Sequence, residues 1–270
     1  MTGILNIQMS PSTGEKKNNL DKVEYYIKKH SDKQIDLVVV PEFFSTGISD
    51  KAFKGCPEDE NGGVVVEFLS GIASKYNTNI ICGSVIEKVE DKYYNTSFAL
   101  NRAGEIIGKY RKIHLFSYMG GNEGNLITPG DKYVIADMDF GKVGMAVCFD
   151  IRYPQMFRSL TQMGAEIIVL PTAWAIPNEV YNDVNTRNYA KDMWFAMNRT
   201  RAYDNMVYMV ISDLCGNIDK RISCLGCSMI ISPTAEVLAS AQYDEGAIYS
   251  DVDLRTVKFL KSQYPIANID

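Results

Sequence analysis

The feature that most constrains the fold is an alternation between short apolar runs and stretches whose apolar residues recur at helical spacing. Residues 35–40 form a short, mainly apolar run typical of a buried strand. Leu20, Val23 and Ile27 precede this run at helical spacing, and a second helical pattern ends near Tyr76. Because strands that alternate with helices are typical of α/β proteins, the pattern predicts that fold class.

The remaining apolar runs predict a mixed sheet architecture. Further strands are expected at residues 3–9, 79–87, 93–100, 105–110, 143–147, 167–170, 206–212, 228–232, 236–241 and 247–252. Further helices are expected from Pro154 to Gly164, over residues 185–203 and from Leu254. The segment Asn101-Arg-Ala-Gly104 is typical of a hairpin turn, so part of the sheet is expected to be antiparallel.

Composition limits the classes of protein to which this chain could belong. The 270 residues are 46% hydrophobic and contain no linker, repeat or low-complexity tract, so we expect one domain over residues 1–270. A net charge of −5 without a basic stripe argues against a nucleic-acid partner. No run approaches eighteen apolar residues, which argues against a membrane span. Six cysteines are too few for a disulfide scaffold, so a reducing, cytoplasmic location is expected.

Three reactive side chains each follow a predicted strand. Glu42 follows residues 38–41, Lys112 follows residues 106–110, and Cys148 follows residues 143–147. Strand ends are where α/β sheets usually place their sites. A thiol between a strand and a helix start is expected to feel the positive end of that helix, which favours the thiolate. Cys148 is therefore a candidate nucleophile.

A cysteine nucleophile needs a base, and histidine is scarce in this chain. His30 lies on the apolar face of the first predicted helix, which favours a structural role, and the sequence does not place the ring of His114. Glu42 lies among apolar residues, so burial would raise its pKa toward the range useful for proton transfer. Lys112 would oppose that shift and could stabilise a thiolate or an oxyanion.

The residues around these three side chains resemble the nitrilase superfamily of carbon–nitrogen hydrolases, in the family's order and along almost the whole chain. The main motifs are Val40-Pro-Glu-Phe-Phe-Ser-Thr-Gly47, Tyr110-Arg-Lys-Ile-His-Leu-Phe116 and Cys148-Phe-Asp-Ile-Arg-Tyr-Pro154. Further matches are Thr128-Pro-Gly-Asp131, Pro171-Thr-Ala-Trp174, Arg201-Ala-Tyr-Asp-Asn205 and Gly226-Cys-Ser-Met-Ile-Ile-Ser-Pro233.

The resemblance implies an αββα sandwich that carries a Glu–Lys–Cys triad and needs no cofactor. In this reading Glu42 is the general base, Cys148 the nucleophile, and Lys112 supports the tetrahedral intermediates. The Lys112 ammonium and the N–H of Phe149 would form the oxyanion site. A second glutamate that positions substrate and lysine in relatives matches Glu123 in Gly120-Gly-Asn-Glu-Gly.

The resemblance is greatest to the amidase branch that includes ω-amidases and deaminated-glutathione amidases, so a small-molecule amide is the expected substrate. Arg152 would bind a substrate carboxylate or form an ion pair with Asp150 or another acid. The runner-up activity is an N-carbamoyl amidohydrolase, and a nitrile hydrolase is a third. From a different class, the chain could be a catalytically silent scaffold or binding protein, although all three reactive residues are present.

Three further expectations concern metal binding, the pocket and assembly. Cys224 and Cys227 have a zinc-ligand spacing, but no second pair or nearby histidine accompanies them, which favours packing. Trp174 and Trp194 could each line a pocket or fill the core, and Trp174 is favoured for the pocket because its motif follows a strand. The resemblance implies a homodimer or a higher homo-oligomer.

Overall fold

The computed structural model describes residues 1–117 and 123–264. Its sixteen described strands are β1 (Thr2–Gln8), β2 (Leu37–Val39), β3 (Asn79–Ile81), β4 (Val85–Val89), β5 (Lys92–Leu100), β6 (Ile106–Arg111), β7 (Val134–Met138), β8 (Gly141–Met145), β9 (Ile167–Thr172), β10 (Ala175–Pro177), β11 (Tyr208–Asp213), β12 (Cys215–Asn217), β13 (Ile222–Leu225), β14 (Met229–Ile231), β15 (Val237–Ser240) and β16 (Gly246–Val252).

Seven α-helices accompany these strands in the described part of the chain. They are α1 (Lys16–Lys29), α2 (Asp50–Gly55), α3 (Gly63–Tyr76), α4 (Pro154–Gln162), α5 (Asn178–Asn182), α6 (Val184–Asn205) and α7 (Leu254–Gln263). As the sequence predicts, Pro154 occupies the first position of α4, where its missing N–H costs no helical hydrogen bond. Over the described residues, none of the helices has the length and apolar character that a membrane crossing requires.

Two mixed sheets form the centre of the fold. The first has the strand order β16-β1-β2-β3-β5-β4, with β6 also paired to β5, and the second has the order β15-β14-β11-β9-β8-β7. Strands β1 and β11 bring the sheets face to face, and the Asn6 amide donates across this interface to the carbonyl of Ile211 at 2.7 Å. Helices α1 and α3 pack on the first sheet, and α4 and α6 pack on the second. The predicted αββα sandwich with mixed sheets is confirmed.

Side chains of the first sheet alternate between two apolar cores. Leu37 of β2 and Ala99 of β5 contribute to the core between the sheets, whereas Val38 and Phe98 face α1 and α3. This alternation follows from the two-residue period of a strand. Ala99 and the residues that alternate with it back to Asn95 therefore face the second sheet, on the side where the candidate site lies.

The single strand expected over residues 79–87 was wrong, because β3 and β4 are separate strands. Gly83 interrupts them with φ +53°, a left-handed conformation that glycine adopts at little cost. A Cβ at this position would lie 1.9 Å from the carbonyl oxygen of Pro41, so the close approach also requires glycine. This turn brings Ser84 beside Glu42, where the two residues form an isolated parallel bridge.

Candidate active site

The structure brings the three sequence-predicted reactive residues to the ends of three different strands. Glu42 lies three residues beyond the end of β2 and bridges Ser84, the residue directly before β4. Lys112 follows β6 directly, and its backbone N–H donates to the carbonyl of Asn95 on β5 at 2.8 Å. Cys148 lies three residues beyond the end of β8 on the opposite sheet. The site therefore forms between the two sheets.

Cys148 occupies a sharp turn. Its φ is +48°, in the left-handed region, and it begins a short 3-10 helix that ends at Arg152. The Asp150 carboxylate accepts a hydrogen bond from the N–H of Val147 at 2.8 Å and so stabilises the turn. The Cys148 side chain is almost fully buried, which limits access of water to the thiol.

The Lys112 ammonium lies between two carboxylates. Its Nζ is 3.0 Å from Oε1 of Glu42, and it is 2.9 Å from Oε2 and 3.2 Å from Oε1 of Glu123. The lysine and Glu42 are each 2% exposed at the side chain and Glu123 is 9% exposed, so the pairs are shielded from solvent. The backbone N–H of Phe116 donates to Oε2 of Glu123 at 2.7 Å. Gly120, Gly121 and Asn122 of the motif before Glu123 lie outside the described residues.

Asn95 also belongs to this cluster, although sequence reasoning did not identify it. Its amide Nδ2 donates to Oε1 of Glu42 at 2.7 Å and to Oε1 of Glu123 at 2.9 Å. A signal was available, because asparagine is disfavoured in strands and Asn95 lies in the middle of one. Without a recognised chemical motif, that signal alone does not indicate an active site.

Asp150 links β6 and the residues that follow it to the 3-10 turn that begins at Cys148. It accepts hydrogen bonds from the hydroxyl of Tyr110 at 2.7 Å and from the backbone N–H of His114 at 3.2 Å. The Nδ1 of His114 lies 2.7 Å from the same carboxylate, and its ring stacks on Tyr153 with centroids 3.5 Å apart. His114 therefore contacts Asp150 and supports the turn.

His30 lies away from this cluster, after the end of α1, with Nδ1 2.8 Å from the carbonyl oxygen of Tyr26.

Burial and neighbouring charges have opposing effects on the pKa of Glu42, and also on the pKa of Lys112. Burial raises the pKa of Glu42, and the nearby charge of Lys112 reduces this rise without cancelling it. Burial disfavours the Lys112 ammonium, but the charges of Glu123 and Glu42 outweigh that effect and raise the pKa of Lys112 well above its usual value. The lysine is therefore a permanent cation, and Glu42 has the elevated pKa that the sequence predicts.

The Cys148 thiol does not have the low pKa expected from a helix start. Burial raises its pKa well above the usual value, and the charge of Glu42 raises it further, while Lys112 lowers it. The five-residue 3-10 turn that begins at Cys148 precedes α4 and offers only a short run of aligned peptide groups. The resting sulfur therefore keeps its proton, and Glu42 is within hydrogen-bonding reach of that proton.

Arg152 and Trp174 lie together beside the cysteine turn. The Arg152 guanidinium is 5.5 Å above the Trp174 ring, and that ring stacks on Trp194 with centroids 4.4 Å apart. Trp174 is half-buried and Trp194 is fully buried. An Arg152–Asp150 ion pair is not observed, because Asp150 pairs with His114 and Arg152 has no ion-pair partner within 4.0 Å among the described residues.

Phe149 directly follows Cys148 in the 3-10 turn, and Asp213 pairs with Thr172 at the end of β9. The Phe149 ring packs edge-to-face against Phe116, with centroids 5.4 Å apart. Asp213, at the end of β11, is fully buried and accepts a hydrogen bond from the backbone N–H of Trp174 at 2.9 Å. Burial raises the pKa of Asp213 well above its usual value. Sequence reasoning missed Asp213, since the aspartate that ends this strand has no motif of its own.

Cys224 and Cys227 are buried and free of disulfide bonds. Within residues 1–117 and 123–264, no group of three or more His, Cys, Asp or Glu side chains could hold a metal ion. Both cysteines pack in the apolar cores of the protein.

Comparison with known proteins identifies the family. The family model described as carbon-nitrogen hydrolase matches residues 6–262. Omega-amidase NIT3 of Saccharomyces cerevisiae is 29% identical over 96% of this chain and 90% of that protein. The 2-oxoglutaramate amidase of Bacillus subtilis is 30% identical over 96% of this chain and 94% of that protein.

Solved structures give the same result. The crystal structure of Saccharomyces cerevisiae Nit3, a member of the nitrilase superfamily, aligns with a TM-score of 0.84 at 27% identity, over 98% of this chain and 94% of that chain. A carbon-nitrogen hydrolase from Helicobacter pylori aligns with a TM-score of 0.88 at 24% identity, over 100% of this chain and 95% of that chain, and shares the fold. The predicted resemblance to the nitrilase superfamily is confirmed, and the chain belongs to the carbon-nitrogen hydrolase family.

Proposed function

We propose that the protein hydrolyses the terminal amide of a small dicarboxylic or 2-oxo acid through a thioester on Cys148, with release of ammonia. The observation that carries the proposal is the buried cluster in which Lys112 lies between Glu42 and Glu123, with the Cys148 thiol in reach of Glu42. Such a cluster joins a nucleophile, a base and a fixed cation in one water-poor site.

In the first half-reaction, Glu42 takes the thiol proton as the Cys148 sulfur bonds to the amide carbon. The raised pKa values of both groups favour this concerted transfer over a preformed thiolate. The tetrahedral intermediate then breaks its C–N bond, and the proton on Glu42 passes to the leaving nitrogen, which departs as ammonia. The acyl group remains on Cys148 as a thioester.

In the second half-reaction, Glu42 takes a proton from water as the water oxygen bonds to the thioester carbon. The C–S bond then breaks, and the sulfur recovers that proton. The sum is one amide and one water converted into one carboxylic acid and one ammonia, so no cofactor is consumed. Glu42 acts as base and then acid in each half-reaction.

Lys112 and the N–H of Phe149 are proposed to stabilise the negative oxygen of both tetrahedral intermediates. Two carboxylates keep Lys112 charged, and Phe149 directly follows the nucleophile at the start of the 3-10 turn. Glu123 is proposed to hold Lys112 in place and to contact the substrate.

The substrate class is supported by the relatives and by Arg152. Two relatives are named omega-amidase NIT3 and 2-oxoglutaramate amidase. Arg152 is exposed above Trp174, so its guanidinium is available to bind the free carboxylate of a dicarboxylic monoamide. Trp174 is proposed to form one wall of the pocket.

The test is ammonia release from a panel that contains 2-oxoglutaramate, other ω-amides, neutral amides, an N-carbamoyl amino acid and a nitrile. We expect the ω-amides to be the best substrates, with Cys148→Ala inactive. Cys82→Ala is the matched control, because Cys82 is also a fully buried thiol but faces the helix layer. Equal ammonia release by the wild type and Cys148→Ala would refute the proposal, and carbon dioxide release from the carbamoyl compound would indicate the runner-up activity.

We also propose that the protein works as a single domain, in the cytoplasm and as a homodimer. All six cysteines lie in the described part of the chain and are free, which suits a reducing compartment. The homodimer rests on the resemblance to the superfamily. Light scattering should give twice the mass of one chain, and a lone monomer would contradict the dimer.

A further inference from the structure

We propose that Asn95 is a positioning residue for the reaction: its amide holds Glu42 and Glu123 at fixed positions around Lys112 and leaves one oxygen of Glu42 to receive the Cys148 proton. This inference rests on the proposed function, in which Glu42 is the base. Asn95 is fully buried on β5 and faces the second sheet, the same side as Ala99.

The two hydrogens of one amide group account for both contacts. Nδ2 donates to Glu42 at 2.7 Å and to Glu123 at 2.9 Å, one hydrogen for each carboxylate. The opposite amide orientation would place Oδ1 against two carboxylate oxygens, which repel it. Oδ1 of Asn95 is buried without a hydrogen-bond partner among the described residues. The side chain is therefore held for its N–H groups.

The contacts on Glu42 are asymmetric. Both the Lys112 ammonium and the Asn95 amide contact Oε1, at 3.0 and 2.7 Å. An oxygen that already accepts two hydrogen bonds, one of them charged, is the weaker proton acceptor of the pair. We therefore assign Oε2 of Glu42 as the atom that takes the thiol proton.

Asn95 also fixes the lysine through its backbone. Its carbonyl accepts the N–H of Lys112 at 2.8 Å, just beyond the ladder between β5 and β6. One residue thus orients the cation through the main chain and both carboxylates through the side chain. Without the amide, Lys112 would be the one remaining group among the described residues that contacts both buried carboxylates and opposes their mutual repulsion.

The test compares Asn95→Leu with Asn6→Leu in the full-length protein. Leucine has nearly the shape of asparagine but donates no hydrogen bond. Asn6 is the matched control, because it is fully buried and donates through Nδ2 to the carbonyls of Ile211 and Met229 at 2.7 and 3.3 Å. Its Oδ1 also has no hydrogen-bond partner within the part of the chain that the structure describes. Asn6 differs in contacting backbone instead of the two carboxylates.

For Asn95→Leu we expect kcat to fall on the order of 10- to 100-fold, with KM changed less than about threefold. Loss of the donated hydrogen bonds should raise the pKa of the base, so the acidic limb of the kcat/KM profile should move to higher pH by roughly one unit. Asn6→Leu should lose stability and keep the wild-type pH profile. If Asn95→Leu does not fold, Asn95→Ser, which keeps one donor on a shorter side chain, should show a smaller shift in the same direction.

An acidic limb that stays in place or moves to lower pH in a folded Asn95 variant would overturn the inference, as would an equal shift in Asn6→Leu. Cys148→Ala separates this failure from failure of the proposed function. If Cys148→Ala is inactive while the Asn95 variants keep the wild-type profile, only the role of Asn95 is wrong.

Discussion

Replacing Lys112 with methionine removes the ammonium that lies between Glu42 and Glu123 but keeps a side chain of similar length. The lysine is 2% exposed and contacts both carboxylates within 3.0 Å. The variant therefore leaves two buried carboxylates facing each other, with Asn95 still donating to both.

The size of the effect follows from this arrangement. Removing one partner of a buried ion pair typically costs about 3–5 kcal/mol, because the remaining charge is left uncompensated. Here the two carboxylates can reduce the cost by binding a proton. Their folded-state pKa values in the variant should lie above the unfolded value of about 4.3, so the folded state binds protons more tightly than the unfolded state. The loss of stability should therefore be smallest near pH 4.5 and should grow as the pH rises to 8.

The assay is urea unfolding of the wild type and Lys112→Met at pH 5 and pH 8. We expect a loss of about 3–5 kcal/mol at pH 8 and a clearly smaller loss at pH 5. Adding Glu123→Gln to Lys112→Met should recover part of the stability at pH 8, because one of the two facing charges is gone. A loss below about 1 kcal/mol, as for an exposed pair, or one that does not change with pH, would refute the reasoning.

Three further predictions concern Asp213, the turn beside Glu42 and the substrate carboxylate. Burial raises the pKa of Asp213, so the stability that its protonated carboxyl contributes is lost as the pH rises above the unfolded-state pKa of about 3.9. Asp213→Asn should therefore raise Tm at pH 8 and change it little at pH 4. An equal change in Tm at the two pH values would contradict this. Gly83→Ala should lower the free energy of unfolding in urea by about 1–3 kcal/mol or more, because its Cβ would collide with Pro41. Gly71→Ala, which has open space around it in α3, should be neutral or stabilising. Equal effects of the two substitutions would contradict this explanation. Arg152→Gln should raise KM for ω-amides that carry a carboxylate by roughly tenfold and leave neutral amides unaffected, as steady-state kinetics on both substrates will decide.

Most of the fold was predictable because strand and helix periodicity are local properties. The helix expected over residues 185–203 is α6, and the hairpin expected after residue 100 joins β5 and β6. Strand β7 was missed because five residues that include Asp137 give a weak pattern. The small sheet of β10, β13 and β12 was missed because strands of three or four residues have no reliable period.

The division of the predicted strand at residues 79–87 shows a different limit. Nothing in the apolar pattern of that segment indicates that the chain turns at Gly83. The reason is a contact with Pro41, more than forty residues earlier in the chain, which only the folded structure reveals.

Site residues were predictable from the sequence where the side chain itself carries a reactive group. They were not predictable where the role of a residue depends on its neighbours in the folded structure. Glu42, Lys112 and Glu123 were selected from their motifs, and the structure brings them together with Cys148. Their catalytic roles remain predictions. Asn95 was missed because an amide in a strand has no reactive group of its own. The thiolate expectation for Cys148 was wrong because burial beside Glu42 outweighs a short 3-10 turn.

The most direct test of the central claim is the mass of the Cys148 peptide during turnover. The enzyme is mixed with an ω-amide, quenched in acid and digested, and the peptides are measured by mass spectrometry. We expect the acyl group of the substrate to be attached to Cys148 in the wild type, and Cys148→Ala to carry no acyl group and to release no ammonia above background. An acyl group on a different peptide, or ammonia release by Cys148→Ala at the wild-type rate, would contradict the account.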